Sequence, residues 1–216
     1  MYKAFLFDLN GTVIDDMHYH TQAWHGVLNA LGANISYEAV EQEMYGKNEE
    51  LLIRIFGEDG LTPLKRREIS VKKEEKYQEE FRPYLKLIDG LDEFLNQAYI
   101  HNIQMAIGTA AIMYNVDFVL DGLNIRKYVS AIVSADDVQN SKPHPETFLK
   151  CAALLKTASK DCVVFEDSPK GVEAALQAGM DAVVILTMHN KEAFKQLPNI
   201  KFFINDFKDP VLLSLF

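Results

Sequence analysis

Four short segments of this chain combine residue types that could move a phosphoryl group. The first is Asp8-Leu9-Asn10-Gly11-Thr12, which follows directly on an apolar run. A carboxylate at a strand end is exposed at the sheet's edge and can attack phosphorus. Gly11 lets the chain turn sharply and points backbone N–H groups at an anion. The second is Glu166-Asp167-Ser168-Pro169-Lys170-Gly171. Two adjacent carboxylates at the end of a buried strand are costly unless neutralised. A hard cation such as Mg²⁺, held partly by water, would neutralise them. The third, Ser141-Lys142-Pro143-His144-Pro145, is a proline-stiffened loop that offers a lysine to phosphate as a point charge. The fourth, Ile107-Gly108-Thr109-Ala110, puts a hydroxyl at a strand end just before a helix N-terminus, a phosphate-binding arrangement. Taken singly, each has an ordinary reading as well: a turn, a helix cap, a solvated lysine and an N-cap threonine.

These segments need a scaffold that brings them to one place. Short apolar runs at Lys3–Leu9, Gln104–Gly108, Ala131–Ser134, Cys162–Phe165, Ala182–Leu186 and Phe202–Ile204 read as strands covered on both faces. Helical patterns lie between them, which predicts an α/β fold with a Rossmann-like parallel sheet. Asp89 and Gly90 open one helix, and Gly122 and Gly179 read as C-terminal caps of two others. In such open sheets the site lies beyond the carboxyl ends of the strands, where Asp8, Thr109 and the Glu166–Asp167 pair fall. From Asp16 to about Tyr84 no strand pattern appears. Met17, Trp24, Val27, Leu28 and Leu31 recur at helical spacing up to Gly32. Asn48 is expected to cap a second helix that ends near Gly57, and Thr62-Pro63 to start a long charged one that Pro83 ends. The expected organisation is a catalytic core of residues 1–15 and 85–216 with a small all-helical cap, residues 16–84, inserted after the first strand.

Composition narrows the partners. The 216 residues carry a formal net charge of −9, which disfavours nucleic acid and anionic membrane surfaces. No apolar run reaches the length of a membrane span, and the start MYKAFLFDLNG lacks the features of a signal peptide, so a cytoplasmic monomer is expected. Cys151 and Cys162, the only cysteines, form neither a disulfide framework nor a zinc signature.

In this order and spacing the four segments resemble the four motifs of haloacid dehalogenase-like phosphotransferases. The stretches FDLNGTVIDD, Tyr19-His20 with Ala23-Trp24, SKPHPETF and FEDSPKGVEAALQAGM resemble the β-phosphoglucomutase-like subgroup more narrowly. The resemblance implies Asp8 as the nucleophile that becomes phosphorylated. It implies Mg²⁺ held by Asp8, the backbone carbonyl of Asn10, and Asp167, with Glu166 assisting. Thr109 and Lys142 would hold the transferring group, and Gly11 and Ala110 would line it. In the cap, His20, Trp24, Lys47 and Lys73 would face the substrate, a small phosphorylated metabolite such as a sugar phosphate.

Two positions depart from the family pattern. Residue 10 is Asn, where phosphatases and mutases carry the aspartate that protonates the leaving oxygen and then deprotonates the attacking water or hydroxyl. Asn can hydrogen-bond but cannot exchange a proton in this way, and such help is worth about 10²–10⁴-fold. Asn10 is then an exchange that traps a complex, a fit to a substrate with a good leaving group, or a sign that another residue, such as His20, handles the proton. Second, Gly46-Lys47-Asn48-Glu49-Glu50 has Glu49 where β-phosphoglucomutases place a phosphate-gripping arginine, which favours a simple phosphatase over a mutase. A sugar-phosphate mutase and a non-catalytic phosphate-ligand binder stand as the alternatives.

Overall fold

The computed structural model describes all residues, 1–216. Six strands, β1 (Ala4–Phe7), β2 (Gln104–Gly108), β3 (Ala131–Val133), β4 (Cys162–Glu166), β5 (Asp181–Ile185) and β6 (Ile200–Ile204), form one sheet in the order β3-β2-β1-β4-β5-β6. Every neighbouring pair is parallel. The helices are α1 (Met17–Ala30), α2 (Tyr37–Gln42), α3 (Asn48–Phe56), α4 (Pro63–Phe81), α5 (Leu91–Ile100), α6 (Met113–Gly122), α7 (Glu146–Leu154) and α8 (Pro169–Gln177). The fold is the Rossmann-like α/β architecture. No helix is long and apolar enough to cross a membrane.

Contacts divide the chain into two compact units, Met1–Asp15 with Lys86–Phe216, and Asp16–Leu85. In the sheet unit, the two-residue period of β1 sends alternate side chains to opposite faces. Phe5 and Phe7 meet a ring cluster: Phe5 stacks on Phe94 at 5.4 Å and Phe7 on Phe165 at 4.7 Å. Ala4 and Leu6 point the other way, into a second buried cluster with Val164, Phe148, Val172 and Val184. Both faces are therefore apolar, which is why these strands read as continuous hydrophobic runs. β1 is the strand from which the order runs outward in both directions, so the crevice for a ligand opens at its carboxyl end, between β1 and β4.

The helical unit is α1 to α4, with a core of Trp24, Leu28, Val40, Leu51, Leu52 and Ile69. Gly32 ends α1 with φ +88°, as a residue just past a helix end. Thr62 Oγ1 accepts from Lys65 N and Pro63 opens α4, a cap that stabilises by about 1 kcal/mol.

Several boundaries differ from the sequence reading. Helix α2 was not anticipated; Ser36 caps it through Ala39 N. Lys47, not Asn48, is the N-cap of α3, and Glu50 reaches back to Lys47 N at 2.9 Å. Asn48 instead sends its amide to Glu74, 2.7 Å away. Gly122 is the last residue of α6, and the left-handed position after that helix is Asn124, with φ 54°. Asparagine tolerates that conformation because its short polar side chain can hydrogen-bond locally.

Candidate active site

Register explains how the site is assembled. Phe7 pairs with Phe165 on one side and Ile107 on the other, so Asp8, Glu166 and Gly108 stand at one level on three adjacent strands. Lys142 ties that level together. Its Nζ donates to Asp8 Oδ1 at 2.6 Å, Glu166 Oε1 at 2.7 Å and Gly108 O at 3.0 Å. It also stands 4.6 Å from the centre of the Phe148 ring. The proline-rich loop that precedes α7 delivers this side chain, and only 8% of it is exposed.

Glu166 is fully engaged. Its Oε2 accepts from Asp167 N, Ser168 N and Ser168 Oγ at 2.9–3.0 Å, while Oε1 holds Lys142. Ser168 also caps α8 through Gly171 N. Gly171 is glycine for want of room: a Cβ there would overlap the Glu166 carboxylate. Gly11 has the same character on the other side. It adopts φ +74°, and a Cβ would strike the Asp167 carboxylate. The Asp8 turn and the β4 end are thus in direct contact through a residue with no side chain.

The electrostatics follow from burial. Asp8, Glu166, Asp167 and Lys142 are all buried, so carboxylates outnumber the ammonium among them. Burial pushes the Asp8 carboxyl up to about 7, with Lys142 opposing and Glu166 adding to the rise. Asp167 lies well above the usual carboxylate range because it is buried and faces Glu166 and Asp8. Burial pulls the Lys142 ammonium down, but Asp8 and Glu166 outweigh it and hold the group above its ordinary value. A cluster with surplus negative charge beside a sharp backbone turn suits a hard divalent cation. No group of three or more His, Cys, Asp or Glu side chains is arranged as a cage. A site with few carboxylates fits Mg²⁺, which keeps several waters.

Thr109 follows β2 one residue beyond the Asp8 level. It is buried, its N donates to Val133 O, and its Oγ1 accepts from Ala111 N at 3.1 Å. The hydroxyl proton is left to donate to a further acceptor. Ala110 and Asn10 are half-buried. The thiols take no part: burial pushes Cys151 to about 12 and Cys162 to about 11.

The cap residues form a cluster of their own within the helical unit. His20 and Lys73 come together, with Lys73 Nζ 2.5 Å from His20 Nδ1. Lys73 also donates to both Glu74 oxygens at 3.1 Å. His20 Nε2 lies 3.2 Å from Asp16 Oδ2, and Tyr77 Oη donates to the same oxygen. Those partners fit the Nε2–H tautomer of His20 and engage both ring nitrogens. Trp24 is buried in the apolar core, with Lys73 Nζ 5.3 Å from its ring. Lys47 is half-buried and is the N-cap of α3.

The model of the haloacid dehalogenase-like hydrolases matches residues 5–185. The chain belongs to this family. A fructose-1-phosphate phosphatase of Escherichia coli (strain K12) is 30% identical over 182 residues, which cover 84% of this chain and 95% of the relative. A β-phosphoglucomutase of Bacillus subtilis (strain 168) is 32% identical over 188 residues, covering 84% of this chain and 82% of the relative. The solved structure of a β-phosphoglucomutase from Clostridium difficile has the same fold, with a TM-score of 0.87 at 24% identity over 100% of this chain and 97% of that one. This haloacid dehalogenase-like hydrolase is therefore an enzyme of the hydrolase and phosphotransferase kind.

Sequence reasoning missed three groups that shape the cluster in the helical unit. Asp16 and Tyr77 complete the His20 network, and Glu74 is the carboxylate partner of Lys73. The signal for Glu74 was faint, since it is one charge within a long charged helix. Asp16 directly precedes α1 and reads as an N-cap, yet its side chain makes no cap hydrogen bond.

Proposed function

We propose that this enzyme transfers a phosphoryl group from a small phosphomonoester, such as a sugar phosphate, to Asp8 and then to water. The observation that carries the reading is the buried level of Asp8, Lys142 and Glu166 at the switch point of the sheet. An Asp8 carboxylate oxygen attacks phosphorus while the bond from phosphorus to the leaving oxygen breaks. Water then attacks the aspartyl phosphate, which releases phosphate and restores Asp8. Lys142 offsets charge on the phosphoryl oxygens, and Thr109 donates its hydroxyl proton to one of them. Glu166 holds Lys142 at this level. Asp8, the carbonyl of residue 10 and Asp167 would hold Mg²⁺, which when bound would offset the charge of these carboxylates and of the transferring group.

Asn10 decides the substrate's leaving group. With no acid at that position, an alkoxide departs poorly, whereas an acyl or anomeric oxygen needs less help. The commitment of both His20 nitrogens within the helical unit supports this reading over one in which His20 supplies the proton. The likeness to a fructose-1-phosphate phosphatase and to a β-phosphoglucomutase supports a phosphorylated carbohydrate.

The test is phosphate release across sugar phosphates and acyl phosphates, with Mg²⁺ and with chelator. Magnesium-dependent release is expected. No release from any substrate, by this chain or by Asn10→Asp, would favour a ligand binder. With β-glucose 1-phosphate, formation of glucose 6-phosphate in place of free phosphate would mean a mutase.

A further inference from the structure

Gly11 is the residue of the Asp8 turn with the most backbone freedom, and it has to be. Its φ of +74° and its contact with Asp167 exclude a side chain. Without one, the peptide joining Gly11 to Thr12 rotates readily. The neighbouring Thr12 holds it only weakly, because its hydroxyl is buried without a hydrogen-bond partner and its N–H reaches Leu9 O at 3.4 Å. An anchor comes from far along the chain: Thr187 Oγ1 donates to Gly11 O at 2.6 Å across a sequence separation of 176 residues. Thr187 lies two residues past the end of β5, a strand separated from β1 by β4.

We infer that Thr187 is a positioning residue for phosphoryl transfer. Its hydroxyl pins the Gly11 carbonyl and thereby sets the orientation of the turn that carries the residue-10 carbonyl and the N–H groups facing the phosphoryl group. The inference rests on the phosphoryl-transfer reading above. Its physical basis is that this chemistry depends on positioning and fixed dipoles, so a turn free to rotate loses rate without losing substrate affinity. A β-branched hydroxyl suits the task, since its χ1 is restricted and little is lost on fixing it.

The test compares Thr187→Val and Thr187→Ser with the wild type in the presence of Mg²⁺. Two quantities are read: steady-state kinetics on the best substrate of the panel, and hydrogen–deuterium exchange in peptides over residues 8–14. Loss of one hydrogen bond predicts a kcat lowered about 2- to 10-fold in Thr187→Val with KM nearly unchanged, and faster exchange in the turn. Thr187→Ser should restore both. Wild-type kcat or wild-type exchange in Thr187→Val overturns the inference, as does a serine variant no better than valine or an effect on KM alone. A wild type without turnover on any substrate would count against the phosphoryl-transfer reading itself. Exchange would then decide the clamp alone, and unchanged protection in Thr187→Val would overturn it.

Discussion

The enzyme buries two lysines, and they live in opposite electrostatic worlds. Lys142, in the sheet unit, meets two carboxylates, a carbonyl and an aromatic face, and its charge is held above the ordinary lysine value. Lys73, in the helical unit, meets one carboxylate and a histidine nitrogen, and burial drags it below that value despite Glu74. The same side chain is thus a fixed cation at one end of a carboxylate-rich cluster and a weakly held one inside a hydrogen-bonded network. The difference lies in the surplus of charge. Around Lys142 the carboxylates are in excess and call for a further cation, whereas around Lys73 neutral donors (Tyr77 and Asn48) satisfy the carboxylates.

The largest effect should come from the group at the centre of the first cluster. Asp8→Ala is expected to abolish turnover, by more than about 10⁴-fold, while leaving the fold intact by circular dichroism. Normal turnover in that variant would break the comparison at its root. Adding one more carboxylate to the same cluster has the opposite sign: Asn10→Asp should speed phosphorylation of Asp8 by about 10²–10⁴-fold with alkoxide leaving groups and much less with acyl phosphates, and should speed water attack on phospho-Asp8 with both. An equal gain in phosphorylation rate on both kinds would mean that a proton for the leaving group is not what residue 10 lacks.

Removing the cations separates the two regions directly. Lys142→Met leaves Asp8 and Glu166 buried without a counter-charge and should lower kcat by about 10²–10³-fold, with a loss of about 3–5 kcal/mol in stability measured by urea unfolding. Lys73→Met should destabilise by about 1–3 kcal/mol, since Glu74 keeps its Asn48 partner. Equal losses would contradict the contrast drawn between them.

The smallest effect is a pH dependence. The folded-state value of Asp8, about 7, lies above its ordinary 3.8. Folding of the metal-free protein therefore favours the protonated acid. That contribution is fully present below the ordinary value and is lost as pH rises through about 7. Mg²⁺ competes with those protons, so it should raise the thermal midpoint more at about pH 8 than at about pH 5.5. An equal rise at both would argue that the cation binds elsewhere.

Much of this was legible in the sequence because the physics is local. Both-face burial makes β1, β2 and β4 continuous apolar runs, so the sequence alone places Asp8, Thr109 and Glu166 at strand ends. Gly11 likewise announced a sharp turn. What could not be read was contact between distant segments. Lys142 reads as a phosphate ligand, but that it bridges Asp8 and Glu166 follows only from the register of β1 against β4. The hydrogen bonds of Glu166 were equally out of reach, since Lys142 and the backbone around Ser168 meet its two oxygens only in the folded chain. In the helical unit, Asp16 and Tyr77 are 61 residues apart and meet only after α1 packs on α4.

The most direct test of the central claim is to find the phosphoryl group itself. The enzyme would be mixed with Mg²⁺ and acetyl phosphate, whose leaving group needs no proton, then acid-quenched, digested and analysed by mass spectrometry. With asparagine at position 10 to slow attack by water, phosphoryl should accumulate on Asp8, be absent in Asp8→Ala and be reduced in Asn10→Asp. No modification, or a phosphoryl group on any other residue, would contradict the account.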